Sequence, residues 1–226
     1  MDKTMDTAKP TINRPLMTGK SGPTFRVLEN YWQELKGART LPFRSEVNPA
    51  RIDDALPHAF ILQRVSTSMG RVRVGGQQLN NLLGMDPRGM PLTTFFTPAG
   101  RMVVAEYLRR VFEDPAIVEL PLFSPRTMGR PRLSGRMILL PMNGSDGQVS
   151  MAMGAIVTDG LTGRSPRRFE IPAEGFIRCD HVNDLKSVSP LAETPSMNVI
   201  HGGRSRFQAK GPSAERPALR LIVNNG

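Results

Sequence analysis

Arginine carries the clearest chemical pattern in this sequence. Arg126, Arg130, Arg132 and Arg136 fall close together around the run Gly129-Arg130-Pro131-Arg132. A guanidinium offers a planar fork of N–H donors matched to phosphate and carboxylate, so the run reads as a basic hairpin able to meet an anion. Arg126 and Arg130 have the RxxxR spacing of one half of a cyclic-dinucleotide signature. Asn143-Gly144-Ser145 approximates the other half, one residue short. The same Gly-Arg-Pro-Arg run approximates a minor-groove hook for A·T-rich DNA. Met128 precedes it in place of a further arginine, and no aromatic platform, helix-turn-helix or zinc spacing accompanies it. An arginine-rich chain produces such spacings by chance, and a solvated basic hairpin is the plain alternative. Nucleic-acid or cyclic-dinucleotide binding through the hairpin and tail therefore stands as the second reading.

Other chemistry has less to work with. The chain lacks a nucleophile elbow, an HExxH zinc motif, a Walker A loop and a Rossmann glycine fingerprint. Asp53-Asp54 is a carboxylate pair in sequence only, placed where a turn or cap is expected. The single cysteine, Cys179, allows no intramolecular disulfide and leaves a structural zinc site short of thiolates, so no metal site is expected. The reading is of a protein that is not an enzyme.

Composition sets the frame. The 226 residues can bury a substantial core. Met1–Lys20 is polar, interrupted by Pro10 and Pro15, with no apolar h-region, and no run approaches the roughly 20 apolar residues of a membrane span. A cytoplasmic, reducing location is the expectation. The formal charge of +10 is spread along the chain as +2 over residues 1–23, +4 over 24–159 and +4 over 160–226. A field of that sign favours anionic partners, but its even spread describes a solvated surface more than a nucleic-acid stripe.

The elements that must position these groups follow from periodicity. Residues 1–23 read as a disordered leader, 24–160 as the folded domain and 161–226 as a mostly flexible basic tail. Phe25, Leu28, Trp32 and Leu35 recur at helical spacing over Thr24–Lys36, closed by Gly37. Ala59–Val65 and Arg71–Val74 read as strands, with Val72 and Val74 on one face. Gln77–Leu83 is a short helix, and Pro98–Glu113 is the strongest helix, with Thr97 as its N-cap. Ile117–Phe123 is a strand placed at a sheet edge by Pro121. Leu133–Met142 and Gln148–Thr158 are joined by a hairpin, the second alternating cleanly through Val149, Met151, Met153, Ala155 and Val157. Within the tail, Leu219–Val223 is an apolar patch able to dock as a strand or to serve as a linear motif. The fold class is α+β: an antiparallel sheet with helices.

This order, with the longest helix ahead of three closing strands, resembles a PAS domain, in particular the single-PAS family common in alphaproteobacteria. The resemblance is carried by Tyr31-Trp32, Leu41-Pro42-Phe43-Arg44, Leu56-Pro57, Leu82-Leu83-Gly84 and the closing run Arg216–Val223. It implies a five-stranded antiparallel sheet cupped on one face by helices and preceded by the N-terminal amphipathic helix. It also implies a sensory or regulatory protein acting through protein–protein association, with an unidentified small ligand as an option.

Two sites follow as expectations. Met102, Met137, Leu139, Met151 and Met153 converge on a ligand cup between the long helix and the central strands, methionine being adaptable to irregular ligands; ordinary core is the alternative. Phe25, Leu28, Trp32 and Leu35 form a helix surface for a homodimer or a separate signalling protein, unless that helix covers its own sheet. The cofactor, if any, is left unknown. Haem needs an axial ligand in the cup, whereas His58 precedes the first strand and His181 and His201 lie in the tail. A photoreactive flavin needs a cysteine on the helical side, whereas Cys179 lies past the last expected strand.

Overall fold

The computed structural model describes residues 21–184. The leader before Ser21, His201, the Leu219–Val223 patch and the tail past Asp184 lie outside the described residues. Three helices, α1 (Ser21–Lys36), α2 (Gln77–Leu83) and α3 (Pro98–Glu113), accompany strands β1 (Ala59–Ser66), β2 (Met69–Gly75), β3 (Ala116–Ser124), β4 (Leu133–Asn143), β5 (Val149–Asp159) and β6 (Arg178–His181). All neighbours in the sheet are antiparallel, in the order β2-β1-β5-β4-β3-β6.

Alternation along the strands divides the core into two layers. Phe60, Leu62, Val118, Leu120, Met137 and Leu139 face α2 and α3, where Leu82, Val104, Leu108 and Phe112 meet them. Ala59, Ile61, Ile138, Leu140, Met153 and Ala155 face the other way, against Phe25, Leu28 and Trp32 of α1. The helices thus cover both faces of the sheet: α2 and α3 on one, α1 on the other. Helix α3 carries the expected cap, the Thr97 hydroxyl accepting from Gly100 N at 3.3 Å.

Four features depart from the expected plan. Helix α1 starts at Ser21, inside the expected leader. The sheet has six strands, not five: β6 lies in the expected tail and pairs with β3 over Ala116–Glu119. β3 is therefore internal there, and Pro121 is tolerated because β6 has ended before it. Pairing on that side resumes only at Phe123, which exchanges two main-chain bonds with Glu170. Finally, Val72 and Val74 do not share a face. Ile61 pairs with Val74 and Leu62 with Val72, so Arg73 is an extra residue in β2. That bulge turns Val72 into the α3 layer and Val74 onto the α1 face.

Candidate functional site

Among the described residues, the α1 face of the sheet is open where α1 stops short. The segment from Arg44 to Pro57 crosses this end of the sheet in two 3₁₀ turns, Arg44–Glu46 and Pro49–Ile52. Between it and β1–β2 lies a groove of about 570 Å³, floored by Ile61, Val74 and Met153 and walled by Val47, Ile52 and Leu56. Gly76 closes one end, and a Cβ there would run into the carbonyl oxygens of Leu56 and Pro57. Val74 is 49% exposed and Leu56 39%. Arg44 stands on the rim, and Arg71 and Arg73 lie exposed on the adjoining strand β2. A second hollow of about 450 Å³ adjoins it, bounded by Arg44, Gln63, Asp146 and Met151.

The five residues expected to form a ligand cup do not converge. Met137 and Leu139 lie in the α3 layer, whereas Met153 and the half-buried Met151 belong to the α1 layer. Met102, on α3, is 77% exposed. The cause is register: Leu139 pairs with Gly154 and Leu140 with Met153, so Met153 shares a face with Leu140. The space between sheet and helices is filled by Phe60, Phe95, Phe96 and Phe169, each 1% exposed or less. Gly154 leaves room for the Phe60 ring, which a Cβ at that position would strike.

The expected partner helix is also committed elsewhere. Phe25, Leu28 and Trp32 are wholly buried against their own sheet, and the Trp32 indole Nε1 donates to Pro141 O at 2.7 Å. Leu35 is only partly covered and packs at the edge of the same layer. The apolar stripe is core, not a free surface.

The basic hairpin is less uniform than its sequence. Arg126 and Arg132 are exposed and Arg130 is half-buried. Arg136 does not belong with them, because its guanidinium meets the buried Glu119 carboxylate at 2.7 Å. Asn143-Gly144-Ser145 stands at the far end of β4, about 30 Å away at strand rise. The two halves of the cyclic-dinucleotide signature are therefore held apart.

Sequence reasoning missed two arginines past the last expected strand. Arg178, in β6, donates to both Glu29 oxygens at 2.8 and 2.9 Å and pairs with Asp180 at 2.5 Å. Burial works against its charge, but the bonds and charges of Glu29 and Asp180 prevail and raise its pKa. Arg167 is wholly buried. Its Nη2 donates to Pro131 O at 2.7 Å, while Nε and Nη1 have no partner. Burial, and then the charge of Arg130, lower its pKa. Both lie amid Pro, Ser and Gly, which is why they read as tail. Of the histidines, His58 Nδ1 lies 3.3 Å from Ile156 O and His181 pairs with Asp114. Cys179 lies in β6, half-buried.

Comparison with known proteins agrees with this architecture. A family model described as PAS domain (PAS_5) matches residues 20–157, from the start of α1 to two residues short of the end of β5. The chain belongs to this PAS-domain family, whose role is sensory and regulatory. Among solved structures, it is similar to one reported as "Flavin Analogue Sheds Light on Light-Oxygen-Voltage Domain Mechanism", at 14% identity and a TM-score of 0.37, covering 49% of this chain and 83% of that one. No flavin chemistry is carried over at that distance. No curated protein matches the sequence. No helix among the described residues is long and apolar enough to cross a membrane.

Proposed function

We propose that the protein is a non-catalytic, cytoplasmic regulatory PAS module that acts by associating with a separate signalling protein through the open β1–β2 end of its sheet. The observation that carries this reading is the groove over Ile61, Val74 and Met153, an apolar surface that the described residues leave uncovered on a face otherwise sealed by α1. Exposed apolar patches of this kind mark interaction sites. The filled layer beneath α3 favours association over a ligand held in the helical cup. The occupant is an apolar peptide segment with acidic flanks. The groove supplies the apolar contact, and Arg44, Arg71 and Arg73 supply positive charge near it, with only Asp53 opposing them in the lining. The chain's single cysteine fits a reducing compartment.

The test is site-specific photo-crosslinking in the native cell. A photoreactive residue at Val74 should give a discrete adduct with another protein. The same residue at Met128, 99% exposed on the far hairpin, should not. Leu56→Glu should abolish the adduct and leave the melting temperature unchanged. Identical adducts from positions 74 and 128, or none from 74, would overturn the proposal. An adduct of twice the chain mass would replace the separate partner with a second copy.

A further inference from the structure

Most described arginines with a salt-bridge partner lie away from one corner of the fold. Arg39, Arg51, Arg64, Arg88, Arg109, Arg110, Arg136 and Arg178 each meet an acidic side chain. At the junction of the β3–β4 hairpin, the 163–169 segment and the first turns of α3, the donors go instead to main-chain carbonyls. Arg130 Nε donates to Arg164 O at 3.1 Å. Arg168 Nη1 donates to Arg167 O at 3.3 Å, and Arg101 Nε to Phe96 O at 3.2 Å. Beside Arg130 lies Arg167, wholly buried, with Nε and Nη1 unpartnered.

The segment is anchored firmly enough to make this a built feature. Arg167 N donates to Leu82 O at 2.7 Å, Arg164 N to Gly129 O at 3.0 Å and Phe169 N to Phe95 O at 2.8 Å. Two of the neighbouring charges act on a third: burial, then Arg101 and Arg130, lower the pKa of Arg168. Gathering like charges around a buried cation is costly, and a bound anion relieves both the repulsion and the vacant donors.

We propose that Arg167, with Arg130, Arg168 and Arg101, forms a binding site for a small phosphate-bearing ligand. Arg167 supplies the enclosed donors, and the three more accessible arginines exchange their carbonyl acceptors for phosphate oxygens. Burial of Arg167 selects the size of the ligand: a nucleic-acid backbone can touch exposed Arg126 and Arg132, but only a small anion can be enclosed as far as Arg167. The site lies across the sheet from the groove and is independent of it.

The experiment is calorimetric titration of the full chain with inorganic pyrophosphate in chloride buffer of fixed ionic strength. Saturable binding is expected, weakened about tenfold or more by Arg167→Met, the loss expected of a charge-assisted bond. Arg126→Gln, outside the cluster, should bind as the parent does. The pair Arg130→Gln and Arg168→Gln, on more accessible side chains, should weaken binding comparably and guards against an Arg167 variant that fails to fold. Absence of saturable binding overturns the proposal. So does affinity unchanged in both sets of variants, which would place pyrophosphate on the surface at large. Single-stranded DNA that binds Arg167→Met as tightly as the parent and displaces pyrophosphate would replace the small ligand with nucleic acid on the exposed hairpin.

Discussion

Among the described residues two arginines are buried, on opposite sides of the sheet, and their surroundings treat them differently. Arg178 reaches from β6 under α1, where Glu29 takes two of its donors and Asp180 a third. The residue it pairs with across the ladder is Glu119, itself held by Arg136. Arg167 sits beside α2, among cations, with a single carbonyl bond. The first arrangement is closed: each guanidinium nitrogen meets a carboxylate, and the pair ties α1 to β6. The second is open, with charge and donors left over. A buried ion pair is weak as a stabiliser against an apolar replacement but expensive to break from one side. An unbalanced cation carries that expense already, which is why the first reads as architecture and the second as a site.

The sharpest way to break this contrast is to remove one member of the closed pair. Arg178→Met should cost about 3–5 kcal/mol, because it takes away the guanidinium that donates two bonds to the buried Glu29 carboxylate. Urea denaturation measures it. A loss under about 1 kcal/mol would show that water already serves Glu29 and that the pair is an ordinary surface contact. Removing both partners should hurt less than removing one. Glu29→Met with Arg178→Met should recover to within about 2 kcal/mol of the parent, since the buried carboxylate leaves with its guanidinium and the Asp180 carboxylate left behind is 40% exposed. A double variant as unstable as the single would place the value of the pair in packing rather than in charge.

That contrast also shows what the sequence can carry. The alternation of Val149 to Val157 and the stripe of Val104, Leu108 and Phe112 follow from the period of each element, and the strands and helices built on them fall where they were expected. The fold class was legible for that reason. Cross-strand register has no such periodicity. Met153 and Leu139 each alternate as they should, yet the register that sets Met153 opposite Leu140 sends them to opposite layers. Arg73, an extra residue in β2, likewise separates Val72 from Val74 and lays Val74 on the groove floor. β6 carries three polar side chains in four residues and is made a strand by its partner β3, not by its own pattern. Arg167 and Arg178 were invisible for the same reason. Whether an arginine in a Pro- and Gly-rich stretch is solvated or buried depends on contacts such as Leu82 O and Glu29, both distant in sequence.

The smallest effect is expected from the arginine that looks most buried. Arg167→Met removes a guanidinium of similar length, forfeits the bond to Pro131 O and abolishes two vacant donors and a charge repelled by Arg130. The lost bond costs about 1 kcal/mol, and relief of the unmet donors returns a comparable amount. In chloride buffer without phosphate or sulfate, stability should therefore stay within about 1 kcal/mol of the parent, a shift of a few degrees or less in a domain of this size. A loss approaching that of Arg178→Met would mean that Arg167 is neutralised in solution by a group other than the carbonyl seen here. The two arginines would then be equivalent, and the case for an open site would fall with their difference. A small effect together with lost pyrophosphate binding would separate them fully: one arginine kept for the fold, the other for what binds to it.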